Sequence, residues 1–313
     1  MKKFEYEKGI AFLRDSFVPF SDAKLSIASS PVLYGLSIYT VFSLNWNKEQ
    51  KKLYAFRLKD HFARLVSSAK IMNFNSFTEN WNYEKFENMI FNLVRKNDIR
   101  EDALVRVFVF IDANCAGTKI HNLPNSLSAY IYPMGEILPR SGIHVCVSSW
   151  RRNPDNAIPS RAKVNGGYAN VSLMKNEAIL NGYDDAIALD ESGYVTEGTV
   201  ANLFLVKNEK LFTASADFDI LEGITRDCII KLAKEERIEV VERPIARSEL
   251  YTAEEAFITG SSARITPILS IDKREVGKGK IGLITAKLAR KYEEIQKGIS
   301  KGHADWKTAL PLT

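Results

Sequence analysis

A chain of 313 residues is long for one hydrophobic core and fits two domains. Hydrophobic residues make up 45% and charged residues 26%, and the longest apolar stretch, Ala103–Ile111, is interrupted by Arg106, so no membrane-spanning helix is expected. A net charge of +5, from 43 basic and 38 acidic residues, is too small an excess to argue for nucleic acid.

The opening string MKKFEYEKGIAF has two lysines and then mixed charges, which is no signal-peptide pattern, so a cytoplasmic protein is expected. Short strand-like pieces come first. Leu58, Phe62, Leu65 and Met72 then recur at helical spacing, and Tyr83–Lys96 reads as a second helix. Ala103–Ile111, rich in Val and Phe, reads as a buried strand, and 127–132 as another. Pro, Gly and polar residues gather over 133–142. This places a small N-terminal α/β domain at 1–134, an interdomain loop at 135–142 and a larger C-terminal domain at 143–313.

The second half starts with a strand at 143–149, followed by a polar loop over 151–167. A helix is expected over 171–180, with Gly182 as its stop, and another over 226–236. Strands are expected at 186–189, 202–206 and 255–259. The basic segment 273–301 reads as an amphipathic helix with a solvated face. The order of elements gives a mixed α and β class in two domains with a cleft between them. Cys115, Cys146 and Cys228 form no close pair, and the four histidines show no metal-ligand spacing, so no disulfide framework or metal site is expected. His61, beside Asp60 in a helical pattern, reads as a surface or packed residue rather than a base.

Four strings carry possible chemistry. RAKVNGGYAN, from Arg161 to Asn170, offers a lysine near two glycines, where a close backbone approach can partly desolvate the amine as imine formation requires. TEGTVANLFLV sets Glu197 at the mouth of a strand, where a carboxylate can face a cleft or simply water. EGITRDCIIKLAKEE leads Gly223 and Ile224 into a helix, whose free first-turn amides bind phosphate well and whose Thr225 can equally be a plain N-cap. ITGSSARITPI breaks a strand with Gly260, Ser261 and Ser262, which form either an anion-binding concavity or an ordinary turn.

Taken in order, Lys163, Tyr168, Glu197, Gly223-Ile224-Thr225 and Gly260-Ser261-Ser262 resemble the fold-type IV pyridoxal-phosphate (PLP) aminotransferases. VSSWRRNPDNAIPSRAKVNGGYAN, GYDDAIALDESGYVTEGTVANLFLV and RLKDHFARLVSSAKIMNF are most similar to the branched-chain amino acid aminotransferases, and the tail with His303, Asp305 and Trp306 is similar too. The resemblance implies the two-domain fold of the D-amino acid aminotransferase type, with PLP in the interdomain cleft and a homodimer or larger homo-oligomer. It implies transamination of aliphatic, branched-chain L-amino acids with 2-oxoglutarate as acceptor.

It also implies roles. Lys163 carries the cofactor as a Schiff base and shuttles the proton. Glu197 holds the ring nitrogen protonated. Arg64, Gly223, Ile224, Thr225, Ser261 and Ser262 hold the phosphate. Tyr168 lies beside the ring. Tyr39, Arg106, Ser261 and Ser262 face the substrate. Where the branched-chain pattern has Glu and Arg in a string like FEGIR, this chain has Thr40 and Ser43, positions expected to shape the substrate pocket. Tyr39 and Val41 are similar to the D-amino acid aminotransferases, and TVAN, from Thr199 to Asn202, to the aminodeoxychorismate lyases. A D-amino acid or amine transaminase, or such a lyase, is therefore the alternative reading.

Overall fold

The computed structural model describes residues 5–114, 117–135, 138–300 and 302–310. Cys115 and part of the expected interdomain loop lie outside these. The chain divides into two compact units: Met1–Gly135 with Ala162–Gly166 and Glu294–Thr313, and Glu136–Arg161 with Gly167–Glu293. The second unit is therefore not the unbroken span expected. The segment around Lys163 and the stretch from Glu294 fall with the first unit, where Val164 bridges Ile38 and Lys307–Leu310 pairs with Leu53–Phe56.

Unit 1 is built on a seven-stranded antiparallel sheet. Its strands are β1 (Ile10–Leu13), β2 (Ser16–Pro19), β3 (Ser37–Asn47), β4 (Lys52–Phe56), β5 (Ala103–Ile111), β6 (Asn125–Pro133) and the late strand Lys307–Leu310. The spatial order is Lys307–Leu310, β4, β3, β5, β6, β1, β2. The helices are α1 (Ser30–Tyr34), α2 (Leu58–Ile71), α3 (Asn75–Asn80) and α4 (Tyr83–Lys96). Asn82 caps α4 by accepting from the Lys85 amide. Helix α2 lies against β3 and buries Leu58, Phe62 and Leu65 of the stripe that its sequence spacing marks, together with His61, while Met72 stands at the C-cap.

Strand β3 is nearly all buried, so both of its faces carry structure. Side chains alternate along a strand, which sends Tyr39, Val41, Ser43 and Asn45 to one face and Ile38, Thr40, Phe42 and Leu44 to the other. The second set meets α2: the Phe42 ring lies 5.6 Å from the His61 ring. The β3 edge is continued by the lysine segment, where Ile38 bridges Val164.

Unit 2 holds β7 (Ile143–Arg151), α5 (Tyr168–Leu180), β8 (Asp185–Leu189), β9 (Val195–Gly198), β10 (Asn202–Lys207), β11 (Lys210–Thr213), α6 (Ile224–Glu235), β12 (Val240–Glu242), β13 (Glu255–Gly260), β14 (Arg264–Ile271), β15 (Arg274–Glu275) and most of α7 (Leu283–Gln296). The sheet order is β12, β11, β10, β13, β14, β7, β8, β9, and β9 pairs back onto β10, closing a ring of six strands. The pairings β14–β7, β7–β8 and β11–β12 are parallel and the rest antiparallel, so the unit is mixed. Ile143, Val145, Ile187, Leu203, Leu205, Ala256 and Ile258 share one core cluster. Phe204 and Phe257, on the alternate face, stack 5.1 Å apart. Burying an aliphatic core side chain contributes about 1.5–3 kcal/mol each, so this ring is a rigid base for what lies at its rim. Helix α7 starts at Leu283, later than the basic run implies, because β15 and a turn occupy the stretch before it.

Candidate active site

In unit 1 the site grows from β3. The Lys163 carbonyl accepts from the Tyr39 amide at 3.0 Å, and the Lys163 amide donates to the Ser68 hydroxyl at 3.2 Å. The backbone around the lysine is therefore clamped between a strand and α2. Its Nζ lies 4.8 Å from the Tyr39 ring centroid, and the Arg106 guanidinium lies 4.2 Å from the same ring. Arg106, opposite Val41 on β5, donates to Asn165 Oδ1 at 3.3 Å, and Asn165 Nδ2 donates to Ser37 at 2.8 Å. Lys163, Tyr39 and Arg106 are thus brought together.

The close approach foreseen from the glycines is real, and its partner is Gly35. Gly35 closes α1 at φ +67°, and a Cβ there would sit 2.6 Å from the Gly166 Cα. The Gly166 amide donates to the Gly35 carbonyl at 3.2 Å.

Arg64 lies one turn beyond His61 on α2, and its Nη2 comes within 3.5 Å of Thr40 Oγ1. Ser68, fully buried, donates to the Arg64 carbonyl at 2.9 Å while accepting from Lys163, so one hydroxyl ties lysine loop to helix. Thr40 and Ser43 do not act together. They face opposite sides of β3, and both are buried. Ser43 accepts from Asn45 at 2.9 Å and Gln296 at 3.2 Å, forming a buried polar cluster where a long arginine is the family pattern. His61 is neither a surface residue nor charged: burial, then the positive charges of Arg64, Arg57 and Lys163, hold its imidazole well below its ordinary pKa.

In unit 2 the centre is Glu197, at the end of β9 and buried. Arg152 donates to Oε1 through Nε at 3.1 Å and Nη2 at 3.0 Å. Asn202 Nδ2 at 3.0 Å and the Leu221 amide at 3.3 Å donate to Oε2. The ion pair and the two amides fix the carboxylate in direction. Asn202 also donates to the Leu221 carbonyl, and a Cβ at Gly223 would lie 2.0 Å from Asn202 Oδ1. Gly223 is thus required by the network around Glu197 and is also the N-cap of α6.

Helix α6 begins at Ile224, two residues before the expected start. Its first ladder bond runs from the Asp227 amide to the Gly223 carbonyl, which leaves the amides of Ile224, Thr225 and Arg226 outside the ladder. Thr225 is inside the helix rather than capping it, with its hydroxyl 3.3 Å from the Tyr292 hydroxyl. Ser261 and Ser262 form the half-buried turn of the β13–β14 hairpin, and Tyr168 is the half-buried first residue of α5. Arg152 and Asn202 escape sequence reasoning. The paired Arg151-Arg152 just after a strand is the available signal, since alternation points only one of the two toward the carboxylate.

Unit 1 thus offers a primary amine on a clamped backbone and an arginine, and unit 2 offers an oriented carboxylate and helix amides outside the ladder. No group of three or more His, Cys, Asp or Glu able to hold a metal occurs among the described residues, and no helix there is long and apolar enough to cross a membrane.

The sequence profile of amino-transferase class IV matches residues 38–271. A probable branched-chain-amino-acid aminotransferase of Aquifex aeolicus is 41% identical, over 99% of both chains. The branched-chain aminotransferase of Thermoproteus uzoniensis, solved with norvaline, superposes with a TM-score of 0.92 at 34% identity, covering 97% of this chain and 99% of that one. The T.th. branched-chain amino acid aminotransferase, solved with N-(5'-phosphopyridoxyl)-L-glutamate, gives a TM-score of 0.91 at 33% identity, covering 98% and 100%. The chain belongs to amino-transferase class IV and is a PLP-dependent aminotransferase.

Proposed function

We propose that this chain transaminates branched-chain L-amino acids, with 2-oxoglutarate as amino acceptor. The observation that carries the reading is the Lys163 clamp, which sets an amine beside the Tyr39 ring and the Arg106 guanidinium. Likeness over the full length to branched-chain enzymes, one solved with norvaline and one with a glutamate adduct, supports the substrate pair. PLP, when bound, supplies an aldehyde for the amino group and a ring that takes up the electron pair left on proton loss.

The chain's own residues do the rest. Lys163 Nζ takes the proton from the substrate α-carbon and would return it to the carbon that the cofactor's aldehyde supplies. Glu197 holds a proton on the ring nitrogen, and Arg152 fixes the direction of that carboxylate. Arg64, the amides of Gly223, Ile224 and Thr225 and the Thr225, Ser261 and Ser262 hydroxyls hold the phosphate. Tyr168 flanks the ring. Arg106 offers its charge to the substrate carboxylate, with Tyr39, Ser261 and Ser262 lining the same side. The reading includes a cytoplasmic location and a homodimer or larger homo-oligomer. The exposed apolar side chains Ile27, Val32 and Leu33 of unit 1 support the latter.

The test is a half-reaction. L-leucine, L-isoleucine or L-valine is expected to shift the absorbance of the lysine-bound cofactor to that of the amine form, and 2-oxoglutarate to restore it. No shift with these, combined with pyruvate release from aminodeoxychorismate, assigns the chain to the lyases instead. A shift with D-amino acids alone reverses the chirality.

A further inference from the structure

Arg64 is set against a neutral pair. Thr40 and His61 are both buried, and Thr40 Oγ1 lies 2.7 Å from His61 Nδ1 and 3.5 Å from Arg64 Nη2. We propose that His61, acting through the Thr40 hydroxyl, is the positioning residue that aims Arg64 at the cofactor phosphate. This rests on the reading of Arg64 as a phosphate holder.

The hydrogen atoms fix the direction of the chain. A guanidinium only donates, so Thr40 Oγ1 accepts from Arg64. Burial and three nearby cations disfavour the charged ring, so His61 is neutral. In the relay its proton is on Nε2, and the bare Nδ1 accepts the Thr40 proton. The relay runs from Arg64 to Thr40 to His61 and ends on a neutral acceptor. Helical spacing supplies the rest: His61 and Arg64 stand three apart on α2, on one face, over the strand that carries Thr40. The Phe42 ring beside His61 and the ladder bond from the His61 amide to the Arg57 carbonyl hold the imidazole in place.

A neutral relay has a consequence that a carboxylate partner lacks. It orients the guanidinium without itself competing with an anion for it. The contact is long, and its effect is that of one modest neutral hydrogen bond.

The experiment compares PLP with pyridoxal, which lacks the phosphate, in titrations of the full-length protein freed of cofactor. Thr40→Val and His61→Phe are expected to weaken PLP binding by about three- to tenfold, the span of one neutral hydrogen bond, and to leave pyridoxal binding unchanged. Thr40→Ser and His61→Asn, which keep a hydroxyl and an acceptor, are expected to restore PLP affinity, and they stand in if the first pair fails to fold. Arg64→Ala is the control for the underlying reading. If it leaves PLP affinity untouched, Arg64 does not hold the phosphate and the proposal falls with that reading. If it weakens PLP while Thr40→Val and His61→Phe do not, only the relay is overturned. Equal losses for PLP and pyridoxal mean a purely structural role and also overturn it. Added to Arg64→Ala, Thr40→Val is expected to cost nothing more.

Discussion

Arg64 and Glu197 are site groups of opposite charge, and the two units hold them by opposite means. Glu197 is gripped by an ion pair with Arg152 and by two amide donors, all within 3.3 Å. Arg64 meets a neutral hydroxyl at 3.5 Å, backed by a neutral histidine. The difference follows from what each must do. A carboxylate that keeps a proton on a ring nitrogen needs its own charge secured, and a cation beside it does that. A guanidinium meant for a phosphate needs its direction set, and a hydroxyl does that without competing for it as an acidic group would.

The contrast can be broken at its foundation by Lys163→Ala. Turnover is expected to vanish while PLP still binds through groups on both sides of the comparison. Borohydride reduction and peptide mapping of the parent protein check the assignment, and a pyridoxyl label on another lysine ends it. Glu197→Gln comes next. An amide cannot hold the ring proton, so single-turnover proton removal should slow by on the order of 10²-fold, and an unchanged rate refutes the role.

Arg152→Met sharpens the ionic half. It leaves a buried carboxylate without its cation and should destabilise the protein by about 3 kcal/mol, against about 1 kcal/mol for Thr40→Val. Urea denaturation measures both, and equal losses would erase the contrast. The last effect is that of pH. His61 is held neutral in the folded protein, with its pKa below the unfolded value of about 6.5. As pH falls below that value, the unfolded chain takes up a proton that the folded chain refuses. The stability present above that pH is then lost at up to about 1.4 kcal/mol per pH unit. His61→Asn should flatten that slope between about pH 6.5 and 5, and an unaltered slope shows that His61 protonates freely.

Much of this arrangement is legible in the sequence, and the unread parts share a cause. Helices α2 and α4 announce themselves because one face of each is apolar. Strand β3, the spine of unit 1, does not, because burial on both faces removes the alternation that marks a strand. Lys163, Glu197 and Gly223 are readable as motif members. Their partners are not: Arg152 lies 45 residues from Glu197, and His61 lies 21 from Thr40. Such pairs exist only once the chain has folded, so His61 reads as a packed or surface residue and Arg152 as part of a polar loop. The early start of α6 is hidden for a local reason. Gly223 serves the Asn202 network and the helix cap at once, and a glycine by itself announces neither.

The late strand of unit 1 also sets an order of assembly. Lys307–Leu310 pairs with Lys52–Phe56, so the sheet edge stays open until some 250 further residues have been made. At the usual pace of synthesis that wait is on the order of 10–50 s. The ring of unit 2 has all its strands well before then, while β4 presents its free backbone groups to any neighbouring chain. The positive-φ turn at Arg57, whose amide donates to the Trp306 carbonyl and whose guanidinium lies 5.1 Å from the Trp306 ring, acts as the latch that ends this exposure. Loss of that latch would prolong the exposure after synthesis and be felt as aggregation of the new chain before it was felt in catalysis.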